Sequence, residues 1–330
     1  MKFIFLIGAE HQLFQVENAI SNFGILRNDV VLIIEKVSNN QNFIDKHLNS
    51  KLYPKVIIFE SWTFIDILKN PYKYQNFINL CLSFSKYDIT FFASHYDTDS
   101  PLLFNSIVKP DKYFLMDEGT ASFTVQMQRN TFELISKIKF FIKSIFYRTR
   151  IRLPLTLTYF TKFYLSLSKN DYIEIYKVEK NNNALTSLIR NELIFIGSSI
   201  VELKMMDKVD YIRYLSKIIS DSSCEITNFH YYPHRNESEN KLSEIAKLGF
   251  KIFHLDEPFE TFFRSQVKIA GTICSFFTTN VIFNIATSNI ILPKLVIYKF
   301  DTNLLKRDRQ VYENIYENIK TNKKINFLML

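Results

Sequence analysis

The sequence predicts an α/β protein made of two Rossmann-like, doubly wound halves facing a central cleft. Strand-length apolar runs alternate with helix-length amphipathic segments along most of the chain, the signature of parallel sheets covered by helices. The 330 residues suffice for two domains of ordinary size. Midway, a basic aromatic segment and a polar run at 179–183 interrupt the alternation, which then begins again. The expected domains are 1–170 and 171–330.

The first half opens with an apolar run at 3–8. A helix follows over 12–23, with Leu13, Val16, Ala19, Ile20 and Phe23 on one face and Gly24 as its stop. Further strands are expected at 29–35, 55–60, 88–94 and 112–116, with a helical pattern over 62–84 interrupted by Pro71. From Phe132 the residues Leu134, Ile135, Ile138, Phe141, Ile142, Ile145 and Phe146 recur at helical spacing. The second half offers strands at 192–196, 225–231, 251–255, 271–274 and 289–298. Helices are expected at 210–220 and 237–248, with Pro258 opening another and a charged helix closing the chain.

Composition narrows the function. Hydrophobic residues make up 47%, so a sizeable core is available and wholesale disorder is excluded. Cys81, Cys224 and Cys274 form neither a zinc pattern nor a disulfide framework, which fits a reducing cytoplasm. The first apolar run breaks at Glu10-His11-Gln12, so it reads as a strand and not as a signal peptide. No apolar segment is of membrane-spanning length. His11, His47, His95, His230 and His254 lack ligand spacing, so no metal site is expected. The absence of GxGxxG, Walker and G-x-S-x-G sequences argues against dinucleotide oxidoreductases, P-loop NTPases and α/β-hydrolases.

Charge is concentrated. Lys137, Lys139, Lys143, Arg148, Arg150, Arg152 and Lys162 are separated by no acid, giving nearly all of the net charge of +8. Such a segment suits an anionic membrane surface, where each basic residue contributes about 1 kcal/mol. The other reading is a packed helix with a solvated basic face. No recognised nucleic-acid motif accompanies the charge.

Four segments carry candidate chemistry. The strand at 112–116 ends in Asp117-Glu118-Gly119-Thr120, two acids and a glycine where open α/β sheets hold ligands. The plainer alternative is a solvated turn with a helix N-cap at Thr120 or Ser122. In the second half, Gly197-Ser198-Ser199 offers amides and hydroxyls at an expected helix N-terminus. Pro233-His234-Arg235 offers an imidazole and a guanidinium, and Ser275, Thr278 and Thr279 offer hydroxyls at a strand-to-helix junction. Each alone is more often a turn or capping device than a ligand site, but three at strand ends would line one rim of one sheet.

This order of an acidic pair before glycine, a Pro-His-Arg element and a Ser/Thr cluster resembles the bacterial sialyltransferases with D/E-D/E-G, HP and Ser motifs. The nearest likeness is to the lipooligosaccharide sialyltransferases of glycosyltransferase family 52, with capsule polysialyltransferases as more distant relatives. Asp117-Glu118-Gly119-Thr120 is similar to the family's Asp-Asp-Gly-Thr, and 193–198 to its strand ending in Gly-Ser. Tyr232-Pro233-His234-Arg235 is similar to its Pro-His-Pro-Arg, and Gln12-Leu13 to its first helix start. Two departures stand out: the proline after the histidine is absent, and Glu118 replaces Asp.

The resemblance implies a metal-independent, inverting transferase of the GT-B architecture. Its donor would be a CMP-activated nonulosonic acid such as CMP-sialic acid, and its acceptor a sugar hydroxyl of a lipooligosaccharide or capsule glycan. The first domain would hold the acceptor and the base, Asp117 or Glu118. The second would hold the donor through Gly197, Ser198, Pro233 and Arg235, with Gly119 contributing from the first. His234, helped by Ser275, Thr278 and Thr279, would attend the leaving phosphate. Lys137, Lys139, Lys143, Arg148, Arg150 and Arg152 would face the inner membrane from the cytoplasm; a homodimer is left open. Two alternatives remain: a GT-B transferase using CMP-Kdo or a UDP-sugar, and a non-catalytic membrane-surface binding protein.

Overall fold

In the computed structural model the alternation of apolar runs becomes two units, Met1–Lys177 and Val178–Leu330. The structure describes residues 1–329 apart from 38–39, 49–51, 63–65, 67–71, 118–120, 131–133, 164, 166, 168–169, 177–186, 223, 258, 277–278, 289–291 and 300–305.

The first unit runs β1 (Lys2–Ile7), α1 (Glu10–Phe23), β2 (Val30–Lys36), α2 (Gln41–Leu48), β3 (Val56–Glu60) and α3 (Tyr72–Phe84). It continues β4 (Ile89–Ala93), α4 (Asp99–Val108), β5 (Lys112–Met116), α5 (Ala121–Asn130), α6 (Leu134–Phe146), β6 (Thr158–Thr161) and β7 (Tyr172–Ile175). Among the described residues the strands form one parallel sheet in the order β3-β2-β1-β4-β5-β6-β7. Strands covered on both faces must be apolar at every position, which explains runs such as Ile4-Phe5-Leu6-Ile7. The abundant phenylalanines fill both faces. Phe92 stacks on Phe5 at 4.4 Å and on Phe114 at 4.7 Å, while its neighbour Phe91, pointing the other way, stacks on Phe104 at 4.1 Å. Gly24 ends α1 at φ 61°, where the Ile25 amide returns to the Ile20 carbonyl at 2.9 Å.

The second unit runs β8 (Ser187–Ile196), α7 (Lys208–Asp221), β9 (Asn228–Tyr232), α8 (Glu239–Lys247), β10 (Phe250–Ile252) and α9 (Phe259–Ser265). It ends β11 (Lys268–Ser275), α10 (Thr279–Ser288), β12 (Lys294–Lys299), α11 (Lys306–Lys320) and β13 (Ile325–Met329). Its parallel order is β10-β9-β8-β11-β12-β13. In both sheets the first strand has neighbours wound in opposite directions, so strand order reverses between β1 and β4 and between β8 and β11. Those reversals are the switch points at which open sheets leave a crevice for ligands.

Some expectations shift. The strand anticipated at 225–231 lies at Asn228–Tyr232, and that at 289–298 at Lys294–Lys299. The chain does not close on its charged helix: β13 follows and pairs with β12. The short strands β6 and β7 were hidden among polar and aromatic residues, and β7, although it begins after residue 170, pairs within the first sheet. The polar run at 179–183 and Pro258 lie outside the described residues.

Candidate functional site

Register explains why the second-unit motifs gather. Ile196 at the end of β8 lies beside Tyr232 of β9 on one side and Ser275 of β11 on the other. Gly197-Ser198, Pro233-His234-Arg235 and Ser275 therefore sit side by side on three adjacent carboxyl ends, at the β8/β11 switch point. Ser275 is fully enclosed and Ser198 buried, while Pro233 and His234 are partly exposed and Arg235 exposed. Thr279 begins α10; Thr278 lies outside the described residues.

Gly197-Ser198-Ser199 does not start a helix, contrary to expectation. The chain makes successive turns, with Leu203 N–H donating to the Ser199 carbonyl at 2.9 Å, and α7 begins only at Lys208. The Gly197 amide is engaged by the Tyr232 carbonyl at 2.8 Å. Gly197 makes room: a Cβ there would overlap Glu237 Oε1 and lie 2.7 Å from the Tyr231 hydroxyl.

Beneath these strand ends lies a polar network that sequence reasoning missed. The Lys241 and Glu237 side chains are both fully enclosed, with Nζ 2.9 Å from Glu237 Oε2. Lys241 also donates to the Ser198 carbonyl at 2.9 Å and to Glu202 Oε2 at 3.3 Å, and lies 4.1 Å from the centre of the Tyr211 ring. Tyr231 donates to Glu237 Oε2 at 2.7 Å, which leaves Tyr211 as the donor in the 2.7 Å contact between the two hydroxyls. Glu237 Oε1 accepts the His234 amide at 2.6 Å, and Glu202 Oε1 accepts the Ser238 amide at 3.0 Å. Lys241 thus ties the turn after β8 to the turn after β9. Burial raises the Glu237 carboxyl, against the Lys241 charge. Burial would also raise Glu202, but its bonds to Ser238 and the Lys241 charge bring it below the usual range. One signal was legible: Lys241 falls on the stripe of Leu242 and Ile245 that α8 turns to the core.

His234 is aimed by its own turn. Its Nδ1 accepts the Asn236 amide at 3.2 Å, so the neutral ring carries its proton on Nε2. Burial and the neighbouring charges of Arg235 and Lys241 hold the imidazole below its usual pKa, against Glu202. Near neutral pH the corner therefore presents a neutral N–H donor beside an exposed guanidinium, a pairing suited to phosphate oxygens.

In the first unit, Asp117 follows β5 and is 2% exposed. Its Oδ1 accepts Ser122 Oγ at 2.6 Å, and its Oδ2 accepts Thr161 Oγ1 at 2.8 Å and the Lys162 amide at 3.3 Å. Burial raises its pKa, against the Lys162 charge and these hydrogen bonds. The carboxylate joins the start of α5 to the end of β6. Glu118, Gly119 and Thr120 lie outside the described residues.

At the first unit's β1/β4 switch point is a pocket of about 260 Å³ lined by Gly8, Gln12, Glu35, Ser94 and Thr98, among others. Gln12 Oε1 accepts the Gly8 amide at 2.7 Å, and Glu35 accepts Ser61 Oγ and Ser100 Oγ, each at 2.8 Å. The buried Ser94 hydroxyl has no partner among the described residues. In the sequence Glu35 marks only the end of an apolar run. Its importance comes from hydroxyls distant in sequence.

Lys143 pairs with Asp99 at 2.5 Å, so it is turned into the fold and not outward as expected. Lys139, Arg148, Arg150 and Arg152 are exposed; the Lys137 side chain is not among those described. Among the described residues no group of three or more His, Cys, Asp or Glu side chains is arranged to hold a metal ion, and no helix is long and apolar enough to cross a membrane.

No protein-family model matches this chain, and no curated protein matches it. Solved structures do. UGT89C1 of Arabidopsis thaliana complexed with UDP superposes with a TM-score of 0.53 at 9% identity, covering 100% of this chain and 86% of that one. HepE of Anabaena in complex with UDP-glucose gives 0.52 at 9%, covering 98% and 93%. UGT71G1 of Medicago truncatula complexed with UDP-glucose gives 0.51 at 10%, covering 99% and 86%. These likenesses lend no particular support to the glycosyltransferase family 52 resemblance. They show the fold: the chain has two parallel Rossmann-like sheets matching those of the GT-B glycosyltransferases.

Proposed function

We propose that this protein is an inverting glycosyltransferase that moves a nonulosonic acid from a CMP-activated donor to a sugar hydroxyl of a surface glycan. The observation that carries the reading is the alignment of Gly197-Ser198, Pro233-His234-Arg235 and Ser275 on three adjacent strand ends at the second sheet's switch point. The donor phosphate is assigned to this corner, with His234 Nε2–H and Arg235 as its donors. The acceptor is assigned to the first unit.

In the reaction the acceptor oxygen attacks the anomeric carbon, the bond from that carbon to the phosphate oxygen breaks, and CMP departs. The acceptor proton passes to a carboxylate. Glu118 is assigned that role and Asp117 a positioning role, because the Asp117 carboxylate is enclosed by three hydrogen-bond donors. The hydrogen bond from His234 Nε2–H steadies the negative charge that grows on the leaving phosphate.

A second reading, transfer from a UDP-sugar, is favoured by the structural neighbours HepE and UGT71G1, which are complexed with UDP-glucose. Calorimetric titration with CMP and with UDP, each with and without EDTA, separates the two. CMP binding unaffected by EDTA and weakened about tenfold or more in His234→Ala supports the first reading. Preference for UDP supports the second, and binding of neither nucleotide overturns both.

A further inference from the structure

The side of α6 turned away from the core is apolar. Ile138, Phe141, Ile142 and Ile145 are 53%, 67%, 45% and 61% exposed, and their spacing places them on one stripe. The opposite side holds the helix to its unit. Phe140 packs on the core, Tyr147 is buried, Lys143 reaches Asp99, and Ser144 Oγ accepts the Ile151 amide at 2.9 Å. The stripe is thus an exposed ridge on a docked helix, uncovered among the described residues in a chain otherwise well able to bury its phenylalanines.

A groove of about 650 Å³ adjoins the ridge, lined by Phe141, Ile145, Arg148, Arg150, Ile151 and Leu153, among others. Arg148 and Arg150, with Lys139 and Arg152 nearby in sequence, are exposed, and no acid occurs between residues 137 and 162. An apolar partner protein would require only the stripe. Apolar side chains flanked by cations, in a stretch of sequence that carries no acid, match a surface that is hydrocarbon at depth and negative at its boundary.

We propose that α6 is a membrane-docking ridge whose occupant is an anionic lipid bilayer. Ile138, Phe141, Ile142 and Ile145 enter the acyl boundary while Arg148 and Arg150 meet lipid phosphates. The sequence expectation placed a basic, aromatic amphipathic segment on the membrane with Lys143 among its facing residues; in the structure Lys143 is withdrawn onto Asp99 and the apolar residues make the insertion. It does not depend on the transfer reaction.

The full chain would be co-sedimented with phosphatidylcholine vesicles and with vesicles containing about one-third phosphatidylglycerol. The expected result is binding about tenfold or more stronger to the anionic vesicles. Phe141→Ser with Ile145→Ser should lower that binding about tenfold or more without moving the thermal midpoint, since both side chains are largely exposed. Arg148→Glu with Arg150→Glu should reduce binding to the level on neutral vesicles. Phe141→Trp gives a direct view of insertion, because the native Trp62 is buried: its emission should shift to the blue on anionic vesicles. Equal binding to both vesicle types, or unchanged binding by the serine variant, would overturn the proposal. So would a solution dimer that the serine variant dissolves, which would assign the ridge to a second copy of the chain.

Discussion

Each unit begins with a strand that ends in glycine at its switch point, Gly8 after β1 and Gly197 after β8, yet the two corners are built differently. At the first, a neutral Gln12 amide oxygen holds the Gly8 amide, and the corner keeps a pocket of about 260 Å³. At the second, Tyr231, Glu237 and Lys241 fill the space under Gly197. The first corner leaves volume for a ligand. The second uses its volume for a charged frame that fixes two neighbouring turns and leaves His234 at the edge. The same supersecondary unit can thus be a receptacle or a mount, depending on whether the space behind the glycine is occupied.

The largest expected effect comes from breaking the frame. Lys241→Met leaves Glu237 and the Ser198 carbonyl without their cation in an enclosed site, which should cost about 3–5 kcal/mol in denaturant unfolding. Adding Glu237→Gln should recover a large part of that loss, since the uncompensated charge is then gone. A single-variant loss under about 1 kcal/mol would mean that the network is not closed as described.

The two glycines make the comparison sharper. Gly197→Ala places a methyl against Glu237 and Tyr231, neither of which can withdraw without breaking a hydrogen bond, and should cost about 1–3 kcal/mol. At Gly8 a Cβ meets nothing nearer than the Glu35 carbonyl at 4.0 Å, so Gly8→Ala should change stability by no more than about 0.5 kcal/mol. Equal losses at both positions would remove the distinction between an empty and a filled corner.

The fold was legible because continuous apolar strands and periodic helices repeat a signal along the chain. β6, β7 and β13 escaped because a short strand derives its identity from the neighbour it pairs with. The rim motifs were legible as strand ends, since Gly197, His234 and Ser275 each follow or end an apolar run. The frame was not, because its meaning depends on spatial pairing: Glu237 and Lys241 at i,i+4 resemble an ordinary solvated helix pair until both prove enclosed. Asp117 shows the reverse case. Its position announced chemistry, whereas its surroundings of Ser122, Thr161 and Lys162 make it an anchor.

Asp117→Asn should have a small effect on stability and tests that anchor. The folded-state pKa of Asp117 is raised, so its contribution is fully present below the ordinary carboxylate range and is lost as pH rises through the folded value. Asparagine keeps the shape without the charge and can engage the same hydroxyls, which also accept hydrogen bonds. In thermal unfolding the variant should stay within about 1 kcal/mol of the wild type. It should gain on the wild type as pH rises from acid toward neutral. The opposite trend would show that the ionised carboxylate is favoured there and that Asp117 is better suited to the base role. Turnover gives the companion measurement: under the proposed mechanism Glu118→Gln loses about a hundredfold or more, while Asp117→Asn retains most activity. If the two losses are reversed, the base is Asp117, and its enclosing donors must separate from it before the acceptor proton can move.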